Sequence, residues 1–482
     1  MIPLENAGTE GKAGCMKNTT MEKQKNTLRK ISSILPVSEI VDRKKDEKNS
    51  VRFAVSQIVP RNPILLDTME YRRIYFGKLK EYIALLGRET GLFEAAELDV
   101  YQKLIMQGGD GSPQKDFRKY RYYLLMDVIF ILGCKLTENE AKKVLKKYRE
   151  DFFENRENAR TADALLKAFT RTPARLEKLI KNEDLQDEWE YLLLLRRNSQ
   201  FQTQKPYTIL VTATMSAGKS TFINALAGKD ICKSQIAVCT SKIHTIYNKA
   251  FEDDLAYEYD HDLVLDAGEE ELMNDNEKNE SDCITVAVKF EGGLRDARVV
   301  ISDSPGVNFS GMAGHREITR KMIERKNFDL LIYVMNATQM ATNDETEHLN
   351  FIREKIGKTP VLFVLNKVDE LDPETENIRQ TLQEMRGYLE RSGFQKPMLC
   401  PASAWMGRMA KRSAKELLTH REKMQMEAYA DLMEEMNLPE YYEKEFPGLS
   451  GGRGNSETKK MLRTSGIAYI EKMILLASAG RK

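Results

Sequence analysis

The sequence predicts two folded parts: an all-helical domain, and then an α/β domain with a mostly parallel sheet and flanking helices. Between residues 65 and 198, apolar residues recur at helical spacing and few stretches suggest strands. Beyond residue 200, short β-branched runs alternate with helical stretches, which is typical of a sheet covered on both faces. We therefore predict a polar, mostly disordered segment at residues 1–60, a helical domain at residues 61–200 and an α/β domain at residues 201–482.

Charge and composition narrow the class of protein. The 482 residues include 74 Lys and Arg and 73 Asp and Glu, so the net charge is only +1 and we expect no nucleic-acid partner. The six cysteines form no CxxC pair, which favours reduced thiols in the cytoplasm. No apolar signal segment opens the chain, and the best apolar run, residues 122–133, is too short for a bilayer and contains Asp127. We expect a cytoplasmic protein.

Two helical stretches illustrate the pattern. In DTMEYRRIYFGKLKEYIALLG (residues 67–87), the spacing predicts a helix with five apolar residues near one face: Met69, Ile74, Leu79, Ile83 and Leu86. A charged stretch at about residues 405–455 reads as helical although it lies within the α/β domain. We predict a helical insert there, and its basic residues are typical of a solvated face.

Six runs predict strands of the α/β domain: YTILVTA, ITVAVKFEG, ARVVISD, LLIYVMNA, TPVLFVLNK and PMLCPAS. Polar motifs follow several of them. Ligands of open parallel sheets bind at the carboxyl ends of the strands, so we expect these motifs to meet in one site.

The first motif lies in VTATMSAGKSTFINALAG, where a strand, a tight loop and a helix follow one another. The loop fits the phosphate-binding pattern GxxxxGK[ST], except that Ala213 stands at the first glycine. An alanine is tolerated there if its φ is negative and clashes if its φ is positive. The alternative is an ordinary helix N-terminus with an exposed lysine.

A phosphate loop uses backbone N–H groups and the helix dipole to hold an anion. Lys219 would reach the β- and γ-phosphates, and the Ser220 hydroxyl would coordinate Mg²⁺. The predicted nucleotide-binding residues of this loop are Ser216, Ala217, Gly218, Lys219, Ser220 and Thr221.

The second motif, DxxG, follows another predicted strand. The Asp303 carboxylate can hold Mg²⁺ through water, and the Gly306 N–H can sense a γ-phosphate. The alternative is a plain strand-to-turn signal, because Asp, Ser, Pro and Gly all favour turns.

The third motif, NKxD, is more specific because it follows a fully apolar strand. Asp369 can accept hydrogen bonds from both N1–H and the exocyclic amine of guanine, a pair of donors that adenine lacks. The Lys367 stem can pack over the base, and Asn366 can tie the base site to the phosphate loop. Ser403 and Ala404 then offer backbone groups that reach the guanine O6. In this order at strand ends, the motifs predict a guanine-nucleotide site and an α/β P-loop GTPase domain.

The stretches TMSAGKSTFINALAG, DSPG, MNATQMATNDETEHLNFI and LNKVDE together resemble the dynamin superfamily, in particular its bacterial dynamin-like members. The resemblance covers about residues 200–475. It implies GTP hydrolysis with Mg²⁺, and a charge-compensating role for Ser216 with or without K⁺ or Na⁺. It also implies that Thr240 is the switch threonine, although Ser241 and Thr245 remain rival candidates.

On this resemblance the catalytic residues are Ser216, Lys219 and Thr240, and the residues around Mg²⁺ are Ser220, Thr240 and Asp303. The residue after the DxxG motif is Val307, so the water-positioning glutamine of Ras-like enzymes is absent. Met215 stands where eukaryotic relatives carry a glutamine.

The resemblance further implies partners. They are GTP and GDP, and a second G domain, supplied by another copy of this chain or by a separate dynamin-like chain. It implies activation by pairing of G domains and membrane remodelling, with contact at the inner membrane surface. The alternative is a slow GTP-dependent switch whose helical domain recruits a protein partner without remodelling membranes.

Overall fold

The computed structural model describes residues 43–85, 95–112, 116–131, 138–152, 162, 165, 186–232, 243–259, 263–268, 283–305, 313–372, 377–452, 454 and 456–480. The N-terminal helices are α1 Arg43–Ile58, α2 Met69–Ala84, α3 Ala95–Ile105, α4 Arg121–Ile131, α5 Glu138–Phe152 and α6 Gln186–Thr203. These helices precede the first strand, which begins at Tyr207. Residues 1–42, most of the segment predicted to be disordered, lie outside the described part of the chain.

Helix α1 differs from the prediction of disorder up to residue 60. Its first half is charged, but its second half carries Phe53, Val55 and Ile58, which are buried. Val55 and Ile58 join the core of the N-terminal helices, whereas Phe53 packs on Tyr247 of the sheet. The charged first half hid this apolar segment, because composition averaged over 60 residues is polar.

The core of the N-terminal helices is rich in tyrosine. The buried face of α2 includes Tyr75, Leu79 and Ile83, whereas Ile74 is exposed. The predicted position of Ile74 on that face is therefore wrong. Aromatic side chains with large apolar surfaces, such as Tyr75, occupy the buried face and turn Ile74 toward solvent.

Asp127 is the polar centre of this core. Its carboxylate accepts hydrogen bonds from Asn62 (2.8 Å), Tyr75 (2.8 Å) and Tyr191 (2.6 Å), and from the hydroxyl of Tyr101. Burial raises the pKa of Asp127, while the four donors oppose the shift. One buried acceptor thus links four segments of the helical region.

Within the described residues the sheet has nine strands, in the order β4-β3-β5-β2-β6-β1-β7-β8-β9. Its strands are β1 Tyr207–Ala213, β2 Ile243–Asn248, β3 Tyr257–Tyr259, β4 Leu263–Val264, β5 Cys283–Val288, β6 Val299–Asp303, β7 Leu330–Asn336, β8 Val361–Asn366 and β9 Met398–Ala402. Strands β6, β1, β7, β8 and β9 are parallel, while β2 is antiparallel to β6. The predicted fold class, a mostly parallel sheet with flanking helices and a helical N-terminal region, is confirmed.

The helices of the α/β domain are α7 Lys219–Ala227, α8 Ala313–Arg325, α9 Asn343–Ile356, α10 Ile378–Arg391, α11 Ala404–Ser413, α12 His420–Met436, α13 Leu438–Glu445, α14 Glu457–Thr464 and α15 Ile467–Ala479. The predicted insert corresponds to α11–α13. Met433 and Tyr442 of this segment are buried in the same core as the sheet. The segment therefore packs onto the domain.

Helix α1 also joins the sheet through a polar contact. The Gln57 amide donates to the Phe251 carbonyl at 2.9 Å and to Asp253 at 3.1 Å, and accepts from the Ala250 N–H at 3.2 Å. Asp253 in turn contacts the buried Lys249. The helical region is thereby attached beside β2. Among the described helices, none has the length and apolar character needed to cross a bilayer.

Candidate functional site

The loop between β1 and α7 has the backbone that a phosphate loop requires. Ser216 and Gly218 have φ values of 64° and 81°, both in the left-handed region. A Cβ at Gly218 would collide with Nδ2 of Asn366, so glycine is needed there for two reasons. Ala213 is the last residue of β1, pairs with Val334 and has no positive φ. Its methyl group is therefore accommodated.

Lys219 opens α7, and its ammonium contacts Asp303 at the end of β6. Asp303 is 1% exposed, and its second oxygen, Oδ2, has no hydrogen-bond partner among the described residues. The neighbouring N–H of Ser304 donates to the Val211 carbonyl at 3.1 Å, which holds the end of β6 against β1. The phosphate loop and the DxxG aspartate therefore meet at one edge of the sheet.

This arrangement fits a Mg²⁺ ion. A hard cation prefers oxygen ligands, and the partly buried Ser220 and the unpaired Oδ2 of Asp303 supply them near the phosphate loop. Gly306, Thr240 and Ser241 lie outside the described residues. The rival candidate Thr245 is buried within β2, where it pairs with Ser302.

Asn366 connects the two ends of the site. Its Nδ2 donates to the Ala217 carbonyl at 2.9 Å, and its Oδ1 accepts from the Ala404 N–H at 2.9 Å. The side chain is buried at the end of β8. One amide therefore joins the phosphate loop to the start of α11.

Asp369 lies in a short helical turn directly after β8. Burial raises its pKa, whereas a hydrogen bond with Ser403 opposes that shift. Its Oδ1 is buried and has no hydrogen-bond partner in the described part of the chain. The Lys367 ammonium donates to Glu370 at 2.9 and 3.0 Å, beside this carboxylate. A buried, unsatisfied acceptor of this kind suits a ligand that brings its own donors.

The structure also brings together polar residues to which no sequence motif assigned a role. His348 of α9 shares a 3.1 Å hydrogen bond with Thr212 of β1, and burial lowers its pKa to about 3. Glu345, one turn earlier, accepts from the Ala341 N–H at 2.8 Å, and burial raises its pKa to about 7. Only the packing of α9 behind the phosphate loop reveals this cluster.

A second unmarked group lies against Asp303. Cys232, His244 and Asp303 are all buried, and one potential ligand atom from each lies within 4.8 Å of the others. Burial raises the pKa of the Cys232 thiol, and the Asp303 charge acts in the same direction. The spacing of these residues in sequence gives no signal, because the pairing of β2 with β6 creates the group.

A parallel sheet with a phosphate loop after its first central strand, and an NKxD motif after another, defines a P-loop GTPase-like domain. Residues 209–368 match the family model of the Dynamin family. This match lies within the α/β domain, which is therefore similar to the corresponding part of Dynamin-family proteins.

Two curated relatives show the extent of the similarity. A protein described as a probable transmembrane GTPase FZO-like, chloroplastic, from Arabidopsis thaliana is 23% identical over 297 residues, 61% of this chain and 28% of its own length. The bacterial dynamin-like protein of Nostoc punctiforme is 25% identical over 225 residues, 44% of this chain and 31% of its own length. The matches thus span about a third of these relatives.

Among solved structures, an oligomerised bacterial dynamin pair, described as providing a mechanism for long-range sensing and tethering of membranes, is 16% identical with a TM-score of 0.36. The alignment covers 86% of this chain and 61% of that one.

Proposed function

We propose that this chain binds guanine nucleotides with Mg²⁺ and hydrolyses GTP at the site built around Asn366. The bridge from Asn366 to Ala217 and Ala404 is the observation that carries the proposal, because it sets the phosphate loop and the base site in one rigid unit. Guanine offers two donors on one edge, and the unpaired Oδ1 of Asp369 is a ready acceptor for them.

At the phosphate end, the backbone N–H groups at the start of α7 face the anion, and the helix dipole favours its charge. Lys219 then exchanges its contact with Asp303 for the phosphate oxygens. Ser220 and Asp303 would hold the Mg²⁺ ion, and on the strength of the family resemblance Thr240 would join them. When bound, the ion neutralises charge that develops on the β- and γ-phosphates.

In the reaction, water attacks the γ-phosphorus, the bond to the β–γ bridging oxygen breaks, and GDP and inorganic phosphate leave. Ser216 lies in the exposed part of the phosphate loop with φ at 64°. On the strength of the family resemblance, it would compensate charge on the bridging oxygen. The resemblance adds K⁺ or Na⁺ as an aid to this step. It also supports activation by a second G domain, from another copy of this chain or a separate dynamin-like chain.

A slow regulatory switch is the second candidate. The contact of Gln57 with residues 250–253 favours it, because it attaches the helical region beside β2 and Asp303 lies on the neighbouring strand. In this version nucleotide exchange alters that attachment, and the helical region recruits a protein partner.

The primary test measures GTP turnover against protein concentration with Mg²⁺ and K⁺ present, together with binding of fluorescent GDP and, as control, fluorescent ADP. Specific activity that rises steeply with concentration supports activation by paired G domains. Flat, slow turnover with tight GDP binding supports the switch. Equal affinity for GDP and ADP contradicts the assigned base site.

The family resemblance also supports a more specific proposal, that the chain remodels membranes at the inner membrane surface. The exposed Leu417 lies between α11 and α12, the exposed Met424 lies within α12, and both are candidates for lipid contact. Co-sedimentation with anionic liposomes, with and without GTP, tests this. If lipid enriches the protein in no nucleotide state, membrane remodelling is excluded and the cytoplasmic switch remains.

A further inference from the structure

The group formed by Cys232, His244 and Asp303 contains a thiol and an imidazole that the proposed GTP site does not use. Thiolate and imidazole ligands select Zn²⁺ over Mg²⁺, and catalytic-type zinc sites use three protein ligands with a fourth position open. We infer that these three residues bind a thiophilic divalent cation, with Zn²⁺ as the selected ion, and that the bound cation competes with nucleotide for Asp303.

Strand pairing sets two of the ligands. His244 of β2 and Asp303 of β6 are directly opposite each other in the antiparallel register. Residues opposite each other on paired strands project from the same face of a sheet, with their Cβ atoms close together. The fold therefore presents one imidazole and one carboxylate side by side, both buried.

The third ligand is placed by Asn224 of α7. The Asn224 Oδ1 accepts from the N–H groups of Ile231 and Cys232 at 3.1 and 2.9 Å, and its Nδ2 donates to the Cys232 carbonyl at 2.8 Å. The Cys232 backbone is thus held on both sides. Asn224 is a positioning residue for this site.

The three ligand atoms are slightly farther apart than zinc coordination requires, so a small movement of the side chains would be enough to bind the ion. The three ligand atoms lie within 4.8 Å of one another, whereas tetrahedral zinc with bonds of about 2.0–2.3 Å needs separations of roughly 3.4 Å. Rotation of the side chains supplies the difference. The Cys232 thiol gives up its proton to water when it coordinates the cation.

The competition follows from shared use of Asp303, and this part rests on the proposed function. Asp303 contacts Lys219 of the phosphate loop, and the same carboxylate would support Mg²⁺. A cation held by Cys232 and His244 draws this carboxylate away from both roles. By linkage, Zn²⁺ and Mg²⁺-nucleotide should weaken each other's binding by the same factor.

The first experiment titrates the full chain, without nucleotide, with Zn²⁺ against a chromophoric chelator, and with Co²⁺ as a spectroscopic probe. We expect one tight equivalent and a thiolate-to-cobalt absorption band. C232S and H244Q should each weaken zinc binding at least tenfold, and C232S should remove the band. C400S is the matched control, because Cys400 is also fully buried and belongs to β9.

Zinc binding that is the same in C232S, H244Q and the unmodified chain overturns the inference. Absence of a tight equivalent in the unmodified chain does so as well, without reliance on any variant. Circular dichroism of each variant shows whether the fold is retained.

The second experiment measures zinc affinity with and without Mg²⁺-GDP. We expect zinc affinity to fall at least tenfold when nucleotide is present. Equal zinc affinity with and without nucleotide would mean that the two ligands do not share Asp303. Nucleotide binding without zinc binding contradicts only this inference. Zinc binding through these residues without nucleotide binding contradicts only the proposed function.

Discussion

Asn366 donates a 2.9 Å hydrogen bond from its side-chain amide to the carbonyl of Ala217, across 149 positions of the chain. The same amide accepts from Ala404, so its removal leaves two buried backbone groups unpaired. Each such group costs about 1–3 kcal/mol, so we expect N366A to lower the free energy of unfolding by roughly 2–6 kcal/mol. Chemical denaturation measures this loss of stability, and nucleotide titration measures the loss of GDP affinity that we expect with it.

The control for this variant is N248A. Asn248 is also buried and bonds three carbonyls, but it lies at the far end of β2 from His244, whose strand partner is Asp303. It should lose stability while keeping its nucleotide affinity. An N366A protein that binds GDP as tightly as N248A contradicts the assigned bridge.

Base selection is expected to depend on Asp369. In D369N one oxygen acceptor becomes an N–H donor that opposes the guanine amine, so GTP affinity should fall roughly 100-fold. Xanthine carries a carbonyl at that position, so XTP should gain relative to GTP. Competition binding with both nucleotides measures the change, and E370Q is the control because Glu370 is partly exposed and bonds Lys367. Unchanged GTP preference in D369N would mean that another residue reads the base.

Phosphate binding is expected to depend on Lys219. K219A removes the cation that faces the phosphates, and GTP and GDP affinity should fall on the order of 100-fold. Equilibrium binding measures this. The control is K229A, since Lys229 follows the other end of α7 and pairs with Glu252 at 3.0 Å. If K219A hydrolyses GTP at the full rate, residues 213–220 are not the phosphate-binding loop.

Acid sensitivity is expected to arise partly at His348. Its folded pKa is about 3, below the usual 6.5, so the unfolded chain binds the proton more tightly. Its contribution to stability is full above pH 6.5 and is lost as pH falls toward 3. The free energy of unfolding should drop by a few kcal/mol over this range from this residue alone.

H348Q should remove that part of the pH dependence while it retains a partner for Thr212. Denaturation at pH 4.5, 5.5 and 7.5 provides the measurement, and H420Q is the control because His420 is exposed at the start of α12. Parallel pH curves for H348Q and the unmodified chain would show that His348 does not carry this effect.

The attachment of α1 is expected to depend on Gln57. Q57A leaves the Ala250 N–H and the Phe251 carbonyl without their partner, so the amide of Ala250 should exchange with solvent at least tenfold faster. Hydrogen exchange followed by mass spectrometry measures the exchange rate of the peptide that contains Ala250. Q380A, which loses only an exposed bond to Glu384, should not change it. No change in Q57A would show that apolar packing alone holds α1.

Strands after residue 200 were predictable because a buried strand needs a continuous apolar run, as in YTILVTA and TPVLFVLNK. The tie from Asn366 to the phosphate loop was predictable from chemistry, because both motifs follow strands whose carboxyl ends lie at one edge of the sheet, with only β7 between β1 and β8. The helix at residues 43–58 was missed, because its few apolar residues are buried only through distant partners such as Tyr247.

The sequence by itself determined the sheet-forming runs, the position of the phosphate loop and the residue types that we propose read guanine. These depend on local backbone preferences and on the chemistry of single side chains. Tertiary structure alone decided that His244 lies opposite Asp303, that Asn224 holds Cys232 and that His348 is buried behind Thr212. The contacts of His244 and His348 join segments far apart in sequence, which only strand register and helix packing bring together, whereas Asn224 and Cys232 meet through the loop that follows α7.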